Sequence, residues 1–211
     1  MVSRSIRQES EHPCNHHDVA RGDTQREFAE AAAEDGIVLT GQSVDWLCQQ
    51  GHIALPEKAA AAKDALARIY LALGGDLDTL ASGKTTRLPG DFIHEPTGTL
   101  IEVDESQHFT SFRLATLDLF PTDAQLGFDL ARYKRLCAMW RQKSDGYYRT
   151  KAARGFGVGG RQKQRAYYDA LRDLATPAMG RPPLIRIEAA ERNPADAYRR
   201  HRESLLRALS A

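Results

Sequence analysis

The sequence predicts an α/β (α+β) protein in which helices flank a small mixed sheet, with a helical extension at the N-terminal side. Three observations carry this. Ala- and Glu-rich stretches with helical periodicity stop at glycines, near residue 90 the pattern switches to the two-residue period of strands, and a short apolar run, Leu184-Ile185-Arg186-Ile187, sits between two helical stretches. Helical and strand segments that alternate in this way pack as helices on a sheet.

The elements follow in order. Residues 1–24 are polar, lack periodicity and read as a disordered tail. The tail holds His12, Cys14, His16 and His17, metal-ligand residue types whose spacing matches no closed zinc site. Residues 25–35 form a helix that stops at Gly36. Ser43–Gln50 read as a short helix with Ser43 as N-cap. The clearest helix spans residues 56–73, with Pro56 in its first turn and Gly74-Gly75 at its end. Asp91–His94 and Thr99–Asp104 are two strands joined by Glu95-Pro96-Thr97-Gly98, where Pro and Gly sit as a type I turn wants them. Residues 123–142 form an amphipathic helix with Leu126, Leu130, Tyr133, Leu136, Cys137 and Trp140 on one side. A glycine-rich basic loop, a helix at 161–175, the short strand and a last basic helix at 194–209 complete the chain.

The 211 residues make one domain, or one with a small appendage. No run of about 18 apolar residues exists, so no membrane span is expected, and the polar N-terminus is no secretory signal. Three distant cysteines, Cys14, Cys48 and Cys137, suit a reduced, cytoplasmic protein. The net charge of +1 argues against a nucleic-acid binder until it is split. Residues 1–125 carry 10 Lys/Arg against 20 Asp/Glu, a net of −10; residues 126–211 carry 19 against 8, a net of +11. Tyr147, Tyr148, Tyr167 and Tyr168 are interleaved with the densest basic stretch, a composition suited to phosphate contacts with base or sugar stacking. The bland alternative is that the acidic and basic halves pack against each other.

The four-residue turn sets the hairpin register. His94 pairs with Thr99, Ile93 with Leu100, Phe92 with Ile101, and Asp91 with Glu102. Opposed residues share a face, and Asp104, two residues further on, shares it too. Phe92, Ile101 and Val103 point the other way, into core. Three carboxylates on one side repel unless something neutralises them, and a hard divalent cation, Mg²⁺ or Mn²⁺, does so. Solvation, or pairing with arginines, is the alternative.

Pro89-Gly90-Asp91 on one strand and Glu102-Val103-Asp104 on the next resemble the signature of the PD-(D/E)XK nuclease superfamily. The closer resemblance is to the small endonuclease-like branch related to very-short-patch repair endonucleases. It rests on Ile101-Glu102-Val103-Asp104-Glu105-Ser106-Gln107-His108, Asp169-Ala170-Leu171-Arg172 and the arginine of Leu184-Ile185-Arg186-Ile187. The match covers about residues 84–190. The resemblance implies a restriction-endonuclease-like core over 83–190, with an insertion at about 110–155. A helical region, 25–82, precedes that core, and a basic helix, 191–211, follows it. It further implies a metal-dependent endonuclease in which Asp91, Glu102 and Asp104 hold the ion, with the Val103 carbonyl as a further ligand. Asp104 stands where the superfamily has Lys and cannot supply its positive charge; His108 is the nearest substitute as acid, base or phosphate contact. Lys151 or Lys134 could also reach in.

Gly155, Gly157 and Gly160 make a formal GxGxxG, but no apolar strand precedes it, so it is no dinucleotide fingerprint. Ser82-Gly83-Lys84-Thr85 similarly lacks the first glycine of a P-loop. The glycine loop instead leads into a helix N-terminus that suits a phosphate. Arg161, Arg165, Tyr168 and Arg172 form one face of that helix and, with Lys151, make the expected nucleic-acid surface. DNA is favoured over RNA, alone or within a homodimer or a larger defence or repair complex. Two alternatives stay open: an inactive nucleic-acid-binding module on the same fold, and a protein-interaction subunit whose carboxylates merely pair with arginines.

Overall fold

The computed structural model describes residues 22–191 and 193–210. A four-stranded mixed sheet lies between two sets of helices, as expected. The strands are β1 (Thr40–Gly41), β2 (Phe92–His94), β3 (Thr99–Glu105) and β4 (Ile185–Ala189), in that spatial order. The first two pairings are antiparallel, and β3–β4 is parallel. The β2–β3 register is the one the turn sets: Phe92 opposite Ile101, Ile93 opposite Leu100, His94 opposite Thr99. Gly98 completes the turn at φ +68°, a conformation glycine adopts freely.

Alternation along β2 and β3 gives the sheet two apolar faces. On one, Phe92, Ile101, Val103 and Ile187 pack against α1 (Asp23–Glu34) and α7 (Pro194–Leu209). The ring of Phe28 lies between Phe92 and Tyr198 and is fully buried; burial of such a ring contributes roughly 1.5–3 kcal/mol. Arg202 and Tyr198 of α7 both hold Asp35, just beyond α1. On the other face, Ile93 and Leu100 meet α2 (Ala60–Ala72) and α6 (Arg161–Ala178), around Leu66, Ile69, Tyr167 and Leu171. The connection from β3 to β4 carries α4 (Ser111–Asp118), α5 (Leu130–Ser144) and α6; α3 (Leu77–Ala81) follows α2. Among the described residues, no helix is long and apolar enough to cross a membrane.

Several expectations are corrected. The first helix begins at Asp23, so residues 22–24 do not belong to the tail; residues 1–21, with His12, Cys14, His16 and His17, lie outside the described residues. No α-helix forms at Ser43–Gln50. Val44, Leu47 and Cys48 are buried at helical spacing, but their stretch pairs with residues 86–88, through Leu88 N–H to the Leu47 carbonyl and Gln49 N–H to the Thr86 carbonyl. The helix expected from residue 123 starts at Leu130, because Asp129 caps it by accepting from Arg132 N–H, and Gly127 is engaged beside β4. The expected insertion holds α4, capped by Thr110, as well as α5. In the N-terminal region, α1 covers one face of the sheet and α2 the other.

Candidate active site

The hairpin brings Asp91 and Glu102 together. Asp91 N–H donates to Glu102 Oε1 at 3.2 Å, and Val103 N–H donates to Asp91 Oδ2 at 2.8 Å. Arg172 Nε stands 3.5 Å from Glu102 Oε1. Burial pushes the Glu102 carboxyl up to about 7: Arg172 opposes this, while Asp91 adds to it. Burial also raises Asp91, against the pull of the Val103 N–H. The pair is thus short of positive charge, the condition a bound cation relieves.

Asp104 is placed differently from the expected third ligand. It is fully buried behind the pair, where Arg186 Nη1 meets its two oxygens at 3.0 and 2.9 Å. Tyr133 Oη donates to the same carboxylate. Arg186 also donates to Asp173 Oδ1 at 2.7 Å and to the Asp169 carbonyl, and Arg113 binds the other oxygen of Asp173. His108 Nδ1 closes the network, 3.1 Å from Asp169 Oδ2 and 3.2 Å from Asp104 Oδ1. Burial alone would lower the His108 pKa, but the Asp169 and Asp104 carboxylates outweigh it and raise it. Three carboxylates face two guanidiniums and the His108 imidazole, whose protonation balances the set. Such a network is costly to break at one member, because the survivors stay buried and unpaired.

In front of this network lies a cavity of about 740 Å³. It is lined by Asp91, Glu102, Glu105 and His108 together with Arg161, Gln164, Arg165, Tyr168 and Arg172 of α6, with Tyr148 also on its wall. The structure therefore joins seven of the nine expected residues. Asp104 sits behind the wall. Lys151 reaches it only through Tyr148, with Nζ 4.7 Å from that ring's centroid. Lys134 pairs with Asp118 instead. Nor is the α6 face uniformly solvated. Arg172 is buried and donates to the carbonyls of Pro89 and Tyr168, so it braces the Pro89-Gly90-Asp91 segment and Glu102. Arg165 donates to the Gln107 carbonyl and lies 5.4 Å from the Tyr148 ring centroid. The glycine loop serves packing: Gly155 takes φ +80° where a Cβ would meet the Tyr70 hydroxyl at 2.3 Å.

Gln42 carries no signal in the sequence that singles it out. It is buried, and neither its Oε1 nor its Nε2 has a hydrogen-bond partner. A Cβ on Gly90 would fall 1.5 Å from Gln42 Oε1 and 2.6 Å from Glu102 Oε1. The glycine before Asp91 is thus what lets this amide approach the carboxylate pair. Among the described residues, no group of three or more His, Cys, Asp or Glu side chains is arranged to hold a metal ion. Any cation here would rest on two carboxylates supplemented by neutral oxygens.

Fold and site together define a mixed α/β protein with a cleft lined by both acidic and basic side chains. The chain belongs to the Family of unknown function (DUF7255), which matches residues 68–207. No curated protein and no solved structure matches it. The matched span includes both carboxylates and all of α6, but not Gln42.

Proposed function

We propose that the cleft hydrolyses phosphodiester bonds in nucleic acid, DNA rather than RNA, as a Mg²⁺- or Mn²⁺-dependent nuclease of PD-(D/E)XK type on a restriction-endonuclease-like core. The observation that carries this is the pair of half-buried Asp91 and buried Glu102, whose ionised forms desolvation disfavours, lining one cavity together with Arg161 and Arg165. Asp91 and Glu102 fit a hard cation: both are oxygen donors, burial disfavours their ionised forms, and the unsatisfied Gln42 amide lies beside them. They would hold the ion. Bound there, it would polarise the phosphate and acidify water.

The chain's own groups do the rest. Arg161 and Arg165 take the phosphate oxygens of the strand. Arg172 keeps Glu102 and the Pro89 turn in place. His108, whose protonated form the Asp169 and Asp104 carboxylates favour, offers a proton at the leaving oxygen. A second reading, binding without cutting, is favoured by Asp104, whose charge is absorbed by Arg186. A subunit that only binds protein would leave the Asp91–Glu102 deficit without a purpose.

The test is incubation with plasmid, single-stranded DNA and RNA in Mg²⁺, Mn²⁺ or EDTA. Metal-dependent cutting lost in Asp91→Asn and Glu102→Gln is the expected result. Salt-sensitive binding without cutting would establish the second reading, and no binding at low salt would remove both. Arg165→Ala should weaken binding to all sequences alike and lower the salt slope by about one.

A further inference from the structure

Tyr148 has no part in the chemistry just described, yet its backbone is held in an unfavourable form. It is the one non-glycine residue at positive φ among the described residues, at +57°. A side chain in the left-handed region is strained, and the neighbouring loop meets the same need with Gly155, Gly157 and Gly159. The ring is not core: it is 37% exposed at the wall of the cleft. Core packing therefore does not account for a tyrosine at this position.

Its surroundings are built to fix it. Gln162, a buried residue of α6, donates to the carbonyls of Tyr147 and Ser144. Lys151 N–H donates to the Tyr148 carbonyl at 2.9 Å, and Arg161 N–H to the Lys151 carbonyl at 3.2 Å. The Lys151 ammonium and the Arg165 guanidinium both lie against the ring, at 4.7 and 5.4 Å from its centroid. An electron-rich ring beside two cations, facing a cavity, matches a nucleotide: the base stacks on the ring and the flanking phosphates meet the cations. The exposed Lys151 can leave the ring for a phosphate. Within a duplex, base faces are covered by their neighbours; an unpaired base offers one.

We infer that Tyr148 is a stacking platform for an unpaired nucleobase, so that the cleft takes single-stranded or locally unpaired nucleic acid in preference to intact duplex. The inference rests on reading the cleft as a nucleic-acid site. Its test is fluorescence anisotropy of the full chain in EDTA, with a short labelled single strand and the blunt duplex of the same sequence. The wild type should prefer the single strand. Tyr148→Ala and Tyr148→Gly should each weaken single-strand binding by about ten-fold or more and leave duplex binding unchanged, while Tyr148→Trp keeps both. Tyr148→Gly, relieved of strain, should melt no lower than Tyr148→Ala, which separates lost stacking from lost folding. Equal losses on both substrates, no loss, or a duplex preference would overturn the inference. Metal-dependent cutting without any Tyr148 effect would overturn it and leave the nuclease reading intact. Tyr148-dependent binding without cutting would do the reverse.

Discussion

Replacing Glu102 by glutamine should stabilise the metal-free protein at alkaline pH. In the fold this carboxyl ionises at about 7, against an ordinary 4.5 in the unfolded chain. Between those values the folded state keeps a proton that the unfolded state has released. The stability tied to that proton is fully present below about pH 4.5 and is lost as pH rises through about 7. By about pH 8 the ionised carboxylate costs the fold at most about 3 kcal/mol. Glutamine keeps an oxygen for the Asp91 N–H and never ionises, so the variant should gain on wild type by roughly 2–3 kcal/mol between about pH 5 and pH 8. Urea denaturation in EDTA at the two pH values measures this directly, and comparing the difference between variant and wild type cancels the titrating groups that do not interact with Glu102. Adding Mg²⁺ at the higher pH should raise wild type more than the variant. A gain below about 1 kcal/mol would show that Glu102 is not a strained acid and that the fold has no charge deficit here for a cation to relieve.

Arg186→Met should destabilise the protein by about 3–5 kcal/mol, because it leaves Asp104, Asp169 and Asp173 buried without their shared partner; a loss under about 1 kcal/mol in urea would refute that network. Gly90→Ala should drive a Cβ into Gln42 and Glu102 and cost about 1–3 kcal/mol, with Gln42→Ala in the same chain recovering part of it; additive losses in this cycle would mean the two do not touch. The His108 imidazole should titrate above 6.5 by NMR, and Asp169→Asn should lower that value. Its stabilising contribution is complete below 6.5 and fades as pH rises through the folded value, so a measured value at or below 6.5 would contradict the His108–Asp169 contact.

The sequence showed the parts of this molecule that are local. The hairpin register follows from a four-residue turn and strict alternation, which brings Asp91, one residue before the ladder begins, beside Glu102. α7 was readable because Asn193 caps it and a proline opens it. What stayed hidden depends on distant partners. Asp104 looks like a third ligand until Arg186, 82 residues away, is seen to claim it. Arg172 shares a helical face with Arg165, but the approach of Pro89 and Glu102 withdraws it from solvent. The charge asymmetry served both readings at once: some arginines of the basic half neutralise acids of the other half, and others line the cleft. Gln42 left no mark at all, since a lone glutamine near a two-residue strand carries no periodicity. The Ser43–Gln50 helix failed because apolar spacing at three and four residues also suits a bent segment whose backbone bonds lie elsewhere.

The side-by-side packing of α1 and α7 bears on what can be cut from this chain. Family membership is recognisable from residue 68 onward. A fragment started there would lack Phe28 and Ile37 and so bare one side of Phe92 and Ile101. It would leave Arg202 and Tyr198 without Asp35. It would also drop Gln42 from beside the carboxylates. The stretch that similarity recognises is therefore smaller than the stretch that folds, and inactivity of such a fragment would report a missing layer rather than a missing catalyst.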